Sequence, residues 1–179
     1  MSNQYGFFFD ASRCIKCWAC EVACKQWNGI KAGGLARRKV YEYGQGTFPD
    51  ANRLFVSQAC NHCENPACVE ACPVGAIHKR EEDGIVVGNR DLCIGCQSCL
   101  RACPFNIPQY REDDGSMDKC DGCIECGQTL EDKPHCVATC PTQALKWGTL
   151  EEIAELAAKK GGERMAGETN PCTYVYLAQ

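Results

Sequence analysis

The stretch Cys-Ile-Gly-Cys-Gln-Ser-Cys-Leu-Arg-Ala-Cys-Pro, from Cys93 to Pro104, decides how this chain is organised. Its spacing is C-x2-C-x2-C-x3-C-P, the cysteine spacing with which bacterial proteins bind [4Fe–4S] clusters. Three cysteines two residues apart can turn their sulfurs into one hollow when the chain loops. The fourth lies one helical turn further on and faces away, so it ligates a second cluster in proteins that hold two. The stretch therefore predicts an iron–sulfur site with a partner elsewhere in the chain.

Three further cysteine groups supply that partner. Counted in chain order, the first group repeats the spacing with Lys25 in place of the proline, and the second is C-x2-C-x4-C-x3-C-P. The Cys93 stretch is the third, and the fourth is C-x2-C-x12-C-x3-C-P. Group one is Cys14, Cys17, Cys20 and Cys24, group two is Cys60, Cys63, Cys68 and Cys72, group three is Cys93, Cys96, Cys99 and Cys103, and group four is Cys120, Cys123, Cys136 and Cys140.

Groups two and three together span 44 residues, from Cys60 to Cys103, which is the layout of a bacterial two-cluster ferredoxin. In such proteins each run gives its fourth cysteine to the other cluster. Groups one and four then pair across the chain in the same way. The predicted ligand sets are Cys14, Cys17, Cys20 and Cys140 (set 1), Cys60, Cys63, Cys68 and Cys103 (set 2), Cys93, Cys96, Cys99 and Cys72 (set 3), and Cys120, Cys123, Cys136 and Cys24 (set 4).

The predicted fold class is therefore α+β, with two nested bacterial-ferredoxin-like units built from small strands and short helices around the clusters. Residues 60–110 would form the inner unit. Residues 1–59, which include an insertion, and residues 111–148 would form the two halves of the outer unit. Residues 149–179 would add a C-terminal helix and a tail.

Local patterns place elements around the cysteine groups. Tyr5 to Asp10 is an aromatic strand candidate that leads into group one, and residues 22–28 predict the helical turn that carries the fourth cysteine. Residues 73–78 and 85–87 flank a Glu-Glu-Asp-Gly turn, which predicts a hairpin between groups two and three.

The remaining segments carry weaker signals. The polar stretch 29–52, with the basic run Arg37-Arg38-Lys39, is either an insertion that covers a cluster or meets a partner, or a solvated loop. The Thr-Leu-Glu-Glu sequence at 149–152 is a capping box, so an amphipathic helix should begin there and end near residues 159–161. The rest of the tail, to Gln179, is expected along the surface or against a partner.

Composition limits the class of protein. The chain has 179 residues, 18 of them cysteine, and a formal net charge of −4 with mixed signs, which is no nucleic-acid footprint. The N-terminus shows no features of a secretory signal, which argues against a disulfide scaffold. No apolar run approaches the roughly 18 residues of a membrane span. The expected location is the cytoplasm, with export or membrane attachment through a partner subunit as the alternative.

Some ligand choices stay open at this stage. Paired C-x2-C cysteines also bind zinc, and group four, with its wide gap, is where zinc competes best. Cys126 competes with Cys136 as a ligand. Cys136 is favoured because Cys136, Cys140 and the proline after it have the same spacing as the last two cysteines and the proline of group two. Cys172 has no companion and is expected to be structural or solvent-facing. The three histidines near the groups, His62, His78 and His135, are expected to form hydrogen bonds or lie exposed.

Beyond the cysteines, three stretches carry a resemblance: Tyr-Gly-Phe-Phe-Phe-Asp at 5–10, Cys-Asn-His-Cys-Glu-Asn-Pro-Ala-Cys at 60–68 and Lys-Cys-Asp-Gly-Cys at 119–123. With the four groups, they resemble the four-cluster iron–sulfur (beta) subunit of dimethyl-sulfoxide-reductase-type molybdenum- or tungsten-pterin oxidoreductases. Similar small subunits accompany tungsten aldehyde oxidoreductases. The resemblance implies four clusters in a line, docked to a pterin catalytic subunit with the outer pair nearer the pterin. It also implies the nested pairing of ligand sets.

The chain departs from that family in three places, one of which is Cys126, where the family pattern usually has another residue. Some relatives have a tryptophan and a [3Fe–4S] centre where this chain has Cys96, so four [4Fe–4S] clusters are expected here. The tail is shorter than in membrane-docked members, which makes a soluble complex or a different acceptor plausible.

The predicted function is relay of single electrons to or from a molybdenum- or tungsten-pterin catalytic subunit, with a further donor or acceptor subunit as a second partner. No nucleophile–base pair or phosphate loop is visible, so the chain is expected not to be the enzyme itself. The alternatives are a free-standing polyferredoxin shuttle and a zinc-scaffold interaction module.

Overall fold

The computed structural model describes residues 4–177, in which short strands and helices alternate with the cysteine loops. The strands are β1 (Tyr5–Asp10), β2 (Lys39–Gln45), β3 (Asn52–Gln58), β4 (Ile77–Lys79), β5 (Val86–Gly88), β6 (Gln109–Tyr110), β7 (Met117–Asp118), β8 (Leu145–Thr149), β9 (Glu163–Arg164) and β10 (Thr173–Tyr176). The α-helices are α1 (Ala19–Trp27), α2 (Ala67–Glu70), α3 (Ser98–Ala102), α4 (His135–Ala138) and α5 (Leu150–Lys160).

Strand β1 is the centre of the largest sheet, whose strand order is β8-β1-β10-β9. It pairs antiparallel with β8 and parallel with β10. Successive side chains of a strand point to opposite faces. Phe7 and Phe9 accordingly join the core that holds Cys20 and Cys136, while Phe8 packs on α5. The predicted aromatic strand is confirmed, and both of its faces are covered.

The C-terminal tail differs from the prediction for its last strand. Thr173–Tyr176 forms β10, which pairs with β1 inside the sheet rather than running along the surface. Cys172, just before β10, is completely buried, so this thiol has the structural position that was one of its two expected roles. The last two residues, to Gln179, lie outside the described residues.

The stretch at 29–52 contributes strand β2 to an antiparallel hairpin, whose second strand, β3, follows it in the chain. Strand β2 pairs with β3 over seven residues, in register from Lys39 opposite Gln58 to Gln45 opposite Asn52. The tip of this hairpin is exposed, whereas Arg37 and Arg38 at its base are buried. The stretch thus contains a mostly exposed strand with two buried arginines before it, and its contact with a cluster or a partner stays a prediction.

Helix α5 begins and ends where its sequence predicted. The Thr149 side chain accepts a hydrogen bond from the Glu152 N–H, and the Glu152 carboxylate accepts one from the Thr149 N–H. At the other end, Gly161 adopts the left-handed conformation that closes many helices. The helix buries Ile153 and Ala157 against Phe8 of the central sheet.

The helices that carry cysteines differ in length for a local reason. Helices α2, α3 and α4 end one or two residues before the cysteine that precedes a proline, because proline disfavours the helical conformation of the residue before it. Group one has Lys25 at this position, and α1 continues to Trp27. The predicted turn at 22–28 is thus the second half of a nine-residue helix.

Candidate iron–sulfur centres

The residue before the second cysteine adopts the same backbone conformation in all four groups. Lys16, His62, Gly95 and Gly122 have positive φ values of 55°, 44°, 68° and 73°. For residues other than glycine this left-handed region is sparsely populated, and strained backbone of this kind concentrates at functional sites. The shared conformation shows that the four groups form one repeated loop, although their spacings differ.

Groups one and three match further along the loop. Trp18 and Gln97, each directly after the second cysteine, also have left-handed φ values, 56° and 59°, and each immediately precedes a helix. The three C-P groups share a closing turn, in which the third residue after the cysteine donates its backbone N–H to that cysteine's carbonyl. These residues are Gly75, Asn106 and Gln143, all with positive φ.

Two of the predicted sets line pockets. The four thiols of set 3 line one pocket, with Ile77 and Met117 at its apolar wall. The four thiols of set 1 line another pocket, with Phe9 and Leu145. Each pocket receives three thiols from one group and the fourth from another group.

The thiols of sets 2 and 4 also lie together, deeper in the protein. Burial, with neighbouring Cys60 and Cys103, raises the pKa of Cys68 to about 12. In set 4, burial raises the pKa of the Cys24 thiol, and Cys120 and Cys136 beside it add to the effect. The structure thus brings together the members of each set, while ligation of one cluster by each set stays a prediction.

The four sets follow one another through shared apolar clusters. Sets 1 and 4 meet in the cluster that contains both Cys20 and Cys136. Sets 4 and 2 meet where Cys120 and Cys60 lie with Ala59. Sets 2 and 3 meet in the cluster of Cys68 and Cys99. The order in space is therefore set 1, set 4, set 2, set 3, which differs from their order along the chain.

Exposure of the cysteines follows this order. Cys17 in set 1 and Cys96 in set 3 are exposed, whereas every thiol of set 4 is buried and those of set 2 are buried or half-buried. Ile15 and Val22 stand exposed near Cys17, and Leu92 and Ile94 stand exposed near Cys96. The two terminal sets thus reach the surface at exposed apolar side chains.

The two unassigned cysteines point elsewhere. The Sγ of Cys126 donates to the Trp27 carbonyl and to Asn28 Oδ1, both at 3.3 Å. Cys172 is buried, and this burial raises its pKa to about 11.

Buried polar side chains surround sets 2 and 4. Lys119 donates from Nζ to the Val86 and Cys120 carbonyls. His62 is completely buried, and its Nδ1 accepts the Val86 N–H at 3.2 Å, which leaves the ring proton on Nε2. Burial has the largest single effect on the pKa of Cys120 and raises it, but the hydrogen bond and charge of His62, together with the charge of Arg38, hold this pKa below its ordinary value.

The sequence patterns did not reveal His62 as a residue of the site. Its position between two ligand cysteines was visible, but its left-handed backbone and complete burial were not. Of the other histidines, His135 stacks on Trp27 with ring centroids 4.0 Å apart, and His78 is exposed on β4.

The donor sets fit [4Fe–4S] clusters in their chemistry. Each consists of four thiols, and all 18 cysteines are free rather than joined in disulfides. A [4Fe–4S] cluster is held by four cysteine thiolates, so each set has the number and kind of donors that one cluster requires. Within residues 4–177, no three or more His, Cys, Asp or Glu side chains form a group that could hold a single metal ion.

Comparison with known proteins gives the same cofactor. A 4Fe-4S dicluster domain family matches residues 51–150, and a 4Fe-4S binding domain family matches residues 11–28. The protein is 45% identical to the B-chain of anaerobic dimethyl sulfoxide reductase from Escherichia coli K12 over 175 residues, 93% of its own length and 82% of that relative. It is 44% identical over 164 residues to the probable anaerobic dimethyl sulfoxide reductase chain YnfG, covering 87% and 78%. It is 37% identical over 177 residues to the protein NrfC, covering 96% and 79%; both proteins are from the same strain.

The fold and the thiol sets therefore define a ferredoxin-type iron–sulfur protein of mixed α and β structure. The chain belongs to the family of iron–sulfur subunits of dimethyl-sulfoxide-reductase-type enzymes. Its cofactors are four [4Fe–4S] clusters, and it is an electron-transfer subunit, so the predicted family, cofactor and electron-relay function are confirmed. Among the helices within residues 4–177, none has the length and hydropathy that crossing a membrane requires.

Proposed function

We propose that this subunit passes single electrons along four clusters, held by sets 1, 4, 2 and 3 in that order, to or from a molybdenum- or tungsten-pterin catalytic subunit. The observation that carries the proposal is the succession of shared apolar clusters from set 1 to set 3. Each adjacent pair of sets shares a core, so an electron would cross protein interior between them rather than water. The two nested ferredoxin units, one within the other, are the arrangement that this order supports.

The two ends of the row are proposed contact faces. The set 1 face carries exposed Ile15, Trp18 and Val22 around exposed Cys17. The set 3 face carries Leu92 and Ile94 near Cys96. Exposed apolar side chains beside a redox centre favour a protein partner that excludes water from the contact. A relay needs two such faces, one for each partner.

The set 1 face is assigned to the catalytic subunit. Group one and group four meet at this end. In this proposal they form the outer ferredoxin unit, which would lie nearer the pterin. The set 3 face is left for a second electron donor or acceptor. The curated relatives that are named as chains of a reductase support a reductase as the enzyme that this subunit serves.

The subunit is proposed to be non-catalytic. Every ligand in the four sets is a cysteine of this chain, which leaves no open iron position for a substrate. When bound, the clusters supply one-electron redox chemistry. The protein positions the thiols, excludes water from sets 4 and 2, and sets the local charge that adjusts each potential.

Anaerobic co-purification with a tagged catalytic subunit tests the proposal. The complex should elute as one species from size-exclusion chromatography, with about 16 irons per copy of this chain from four [4Fe–4S] clusters. Reduction should develop the EPR signals of four interacting clusters. A chain that holds its iron but elutes alone, at its own mass of 19.7 kDa, would favour the free-standing polyferredoxin instead. A colourless, zinc-containing chain would exclude both.

A further inference from the structure

Arg38 is a buried cation without a carboxylate partner among residues 4–177. It is 2% exposed. Its Nη1 donates to the Ser57 carbonyl at 3.4 Å and to Ser57 Oγ at 3.2 Å. Its Nε and Nη2 are buried and have no hydrogen-bond partner within that part of the chain. A buried charge that is not paired is strongly unfavourable, so this guanidinium requires an anion that the polypeptide oxygens do not provide.

The neighbouring Arg37 shows what a buried arginine in this protein ordinarily does. Its guanidinium lies 2.7 Å from Asp118, 3.2 Å from Asp121 and 2.9 Å from Glu125. Three carboxylates thus surround Arg37, and none pairs with the adjacent, equally buried Arg38. The contrast indicates that the negative charge beside Arg38 comes from groups other than carboxylates.

The charged neighbours of Arg38 are cysteine sulfurs. Burial alone would lower the pKa of its guanidinium, but negative charge on the sulfurs of Cys136 and Cys120, followed by Cys20 and Cys24, would hold that pKa above its ordinary value. Three of these four cysteines belong to set 4, and Cys20 belongs to set 1. Arg38 therefore lies where the two outer sets meet.

The position of the guanidinium is fixed on its other sides. Its Cζ lies 4.6 Å from the centroid of the Phe7 ring, a cation–π contact from the central strand. Ser57, which accepts from Nη1, has its Oγ 3.4 Å from the Sγ of Cys20. The contacts leave Nε and Nη2 free to donate to cluster sulfur.

We propose that Arg38 is the shared counter-charge of the clusters held by sets 1 and 4, and that it raises the reduction potential of both, more strongly for set 4. The inference rests on the ligand sets of the proposed function. Each cluster gains one negative charge when it accepts an electron from its donor. A fixed cation that donates hydrogen bonds to the sulfurs stabilises this reduced form relative to the oxidised one. Set 4 should respond more because it contributes three of the four neighbouring sulfurs.

Redox titration followed by EPR on the intact complex tests this role. Arg38→Gln keeps hydrogen-bond donors but removes the charge. It should make the equilibrium constant for reduction of the set 4 cluster at least tenfold less favourable, which corresponds to a fall of about 59 mV in its potential for one electron. The set 1 cluster should fall by less, and those of sets 2 and 3 should keep their potentials. Arg38→Lys, which retains the charge, should keep the potential of the set 4 cluster close to its wild-type value. Four unchanged potentials, or an equal fall in all four, would overturn the proposal.

A matched control separates a buried charge from an exposed one. Arg13 is exposed and directly precedes Cys14 of set 1, so Arg13→Gln removes the same charge beside a ligand loop. Because water screens this charge, the Arg13 variant should titrate like wild type. A shift in this variant as large as that of Arg38→Gln would contradict the special role of the buried site.

A second measurement does not depend on the folding of a neutral variant. In wild-type complex labelled with 15N-arginine, pulsed EPR of the reduced set 4 cluster should show coupling to guanidinium nitrogen, and Arg38→Lys should abolish it. Absence of the coupling in wild type would refute the proposal even if Arg38→Gln loses iron. Wild-type protein without four clusters would instead refute the proposed function, so the two failures are distinguishable.

Discussion

One residue in each cysteine loop, the one before the second cysteine, carries a left-handed backbone, and in two of the four loops it is not a glycine. Lys16 and His62 adopt this conformation at a cost that the surrounding structure must offset. His62 shows how: its buried ring accepts the Val86 N–H and presents its other nitrogen towards Cys120. The cysteine spacing predicted the loop, but no local signal predicted that a histidine within it would be a buried part of the site.

The crossed pairing can be tested at one cysteine. Cys103→Ser should eliminate the set 2 cluster and leave the set 3 cluster intact, because Cys103 lies with Cys60, Cys63 and Cys68 rather than with its sequence neighbours. EPR and iron analysis of the anaerobic protein are the measurements, with Cys172→Ser as the control that should retain all clusters. Loss of the set 3 signal instead would mean that the fourth cysteine is not exchanged.

A second residue-scale prediction concerns the spare thiol. Cys126→Ala should leave the iron content at about 16 per chain, because the Cys126 sulfur donates to Trp27 and Asn28 rather than pointing among set 4. Cys136→Ala should lose the set 4 cluster, since Cys136 is buried among Cys24 and Cys120. If the Cys126 variant lost about four irons and the Cys136 variant did not, the two cysteines would have to exchange roles.

At the scale of elements, local signals predicted local structure and missed distant pairing. The aromatic run of β1, the hairpin β4–β5 and the capping box of α5 are each contained within a dozen residues, and all three elements formed. Strand β10 pairs with β1, more than 160 residues earlier in the chain, and no short pattern marks that partnership. The burial of Arg37 could not be predicted for the same reason, because its carboxylate partners, on and after β7, are distant in sequence.

The β1–β10 pairing makes Gly6 sensitive to a single methyl group. A Cβ on Gly6 would lie 2.1 Å from the Cys172 carbonyl oxygen, a backbone atom that cannot move without displacing β10. Gly6→Ala should therefore cost about 1–3 kcal/mol, the usual range for overpacking. Thermal unfolding of the anaerobic protein should show this as a fall of roughly 2–4 °C in Tm per kcal/mol.

Gly44 in β2 provides the control for that substitution. It is also a strand glycine, but an added Cβ there meets nothing within 4 Å among the described residues. Gly44→Ala should leave Tm unchanged or slightly raised, since alanine reduces the freedom of the unfolded chain. Equal destabilisation by both alanines would show that the Cys172 contact is not what limits residue 6.

At the scale of the whole molecule, the thiol sets follow one another in space in the order 1, 4, 2, 3, which differs from the order of the cysteine groups along the chain. Groups one and four lie at opposite ends of the cysteine-bearing chain, yet their thiols share one core. Each set in the row thus combines cysteines from separate parts of the chain. Exposed predicted ligands, Cys17 and Cys96, are found in the two sets at the ends of the row. The repeated spacing already indicated which groups would lie together, and ligation of one cluster by each set stays a prediction. The exposure of Cys17 and Cys96 required the folded structure.

The two ends should therefore respond differently to a charge. Val22 is 63% exposed at the set 1 face and Ile94 is 64% exposed at the set 3 face, so glutamate at either position disturbs little of the fold itself. Val22→Glu should weaken binding of the catalytic subunit by about tenfold or more, which corresponds to roughly 1.4 kcal/mol lost at an apolar contact. Ile94→Glu should leave that affinity unchanged and slow electron exchange with the second partner. Titration of the purified catalytic subunit, with iron content checked in both variants, measures the difference. Equal weakening by both substitutions would contradict a row of clusters with one partner at each end, and weakening by Ile94→Glu alone would reverse the direction in which the row is docked.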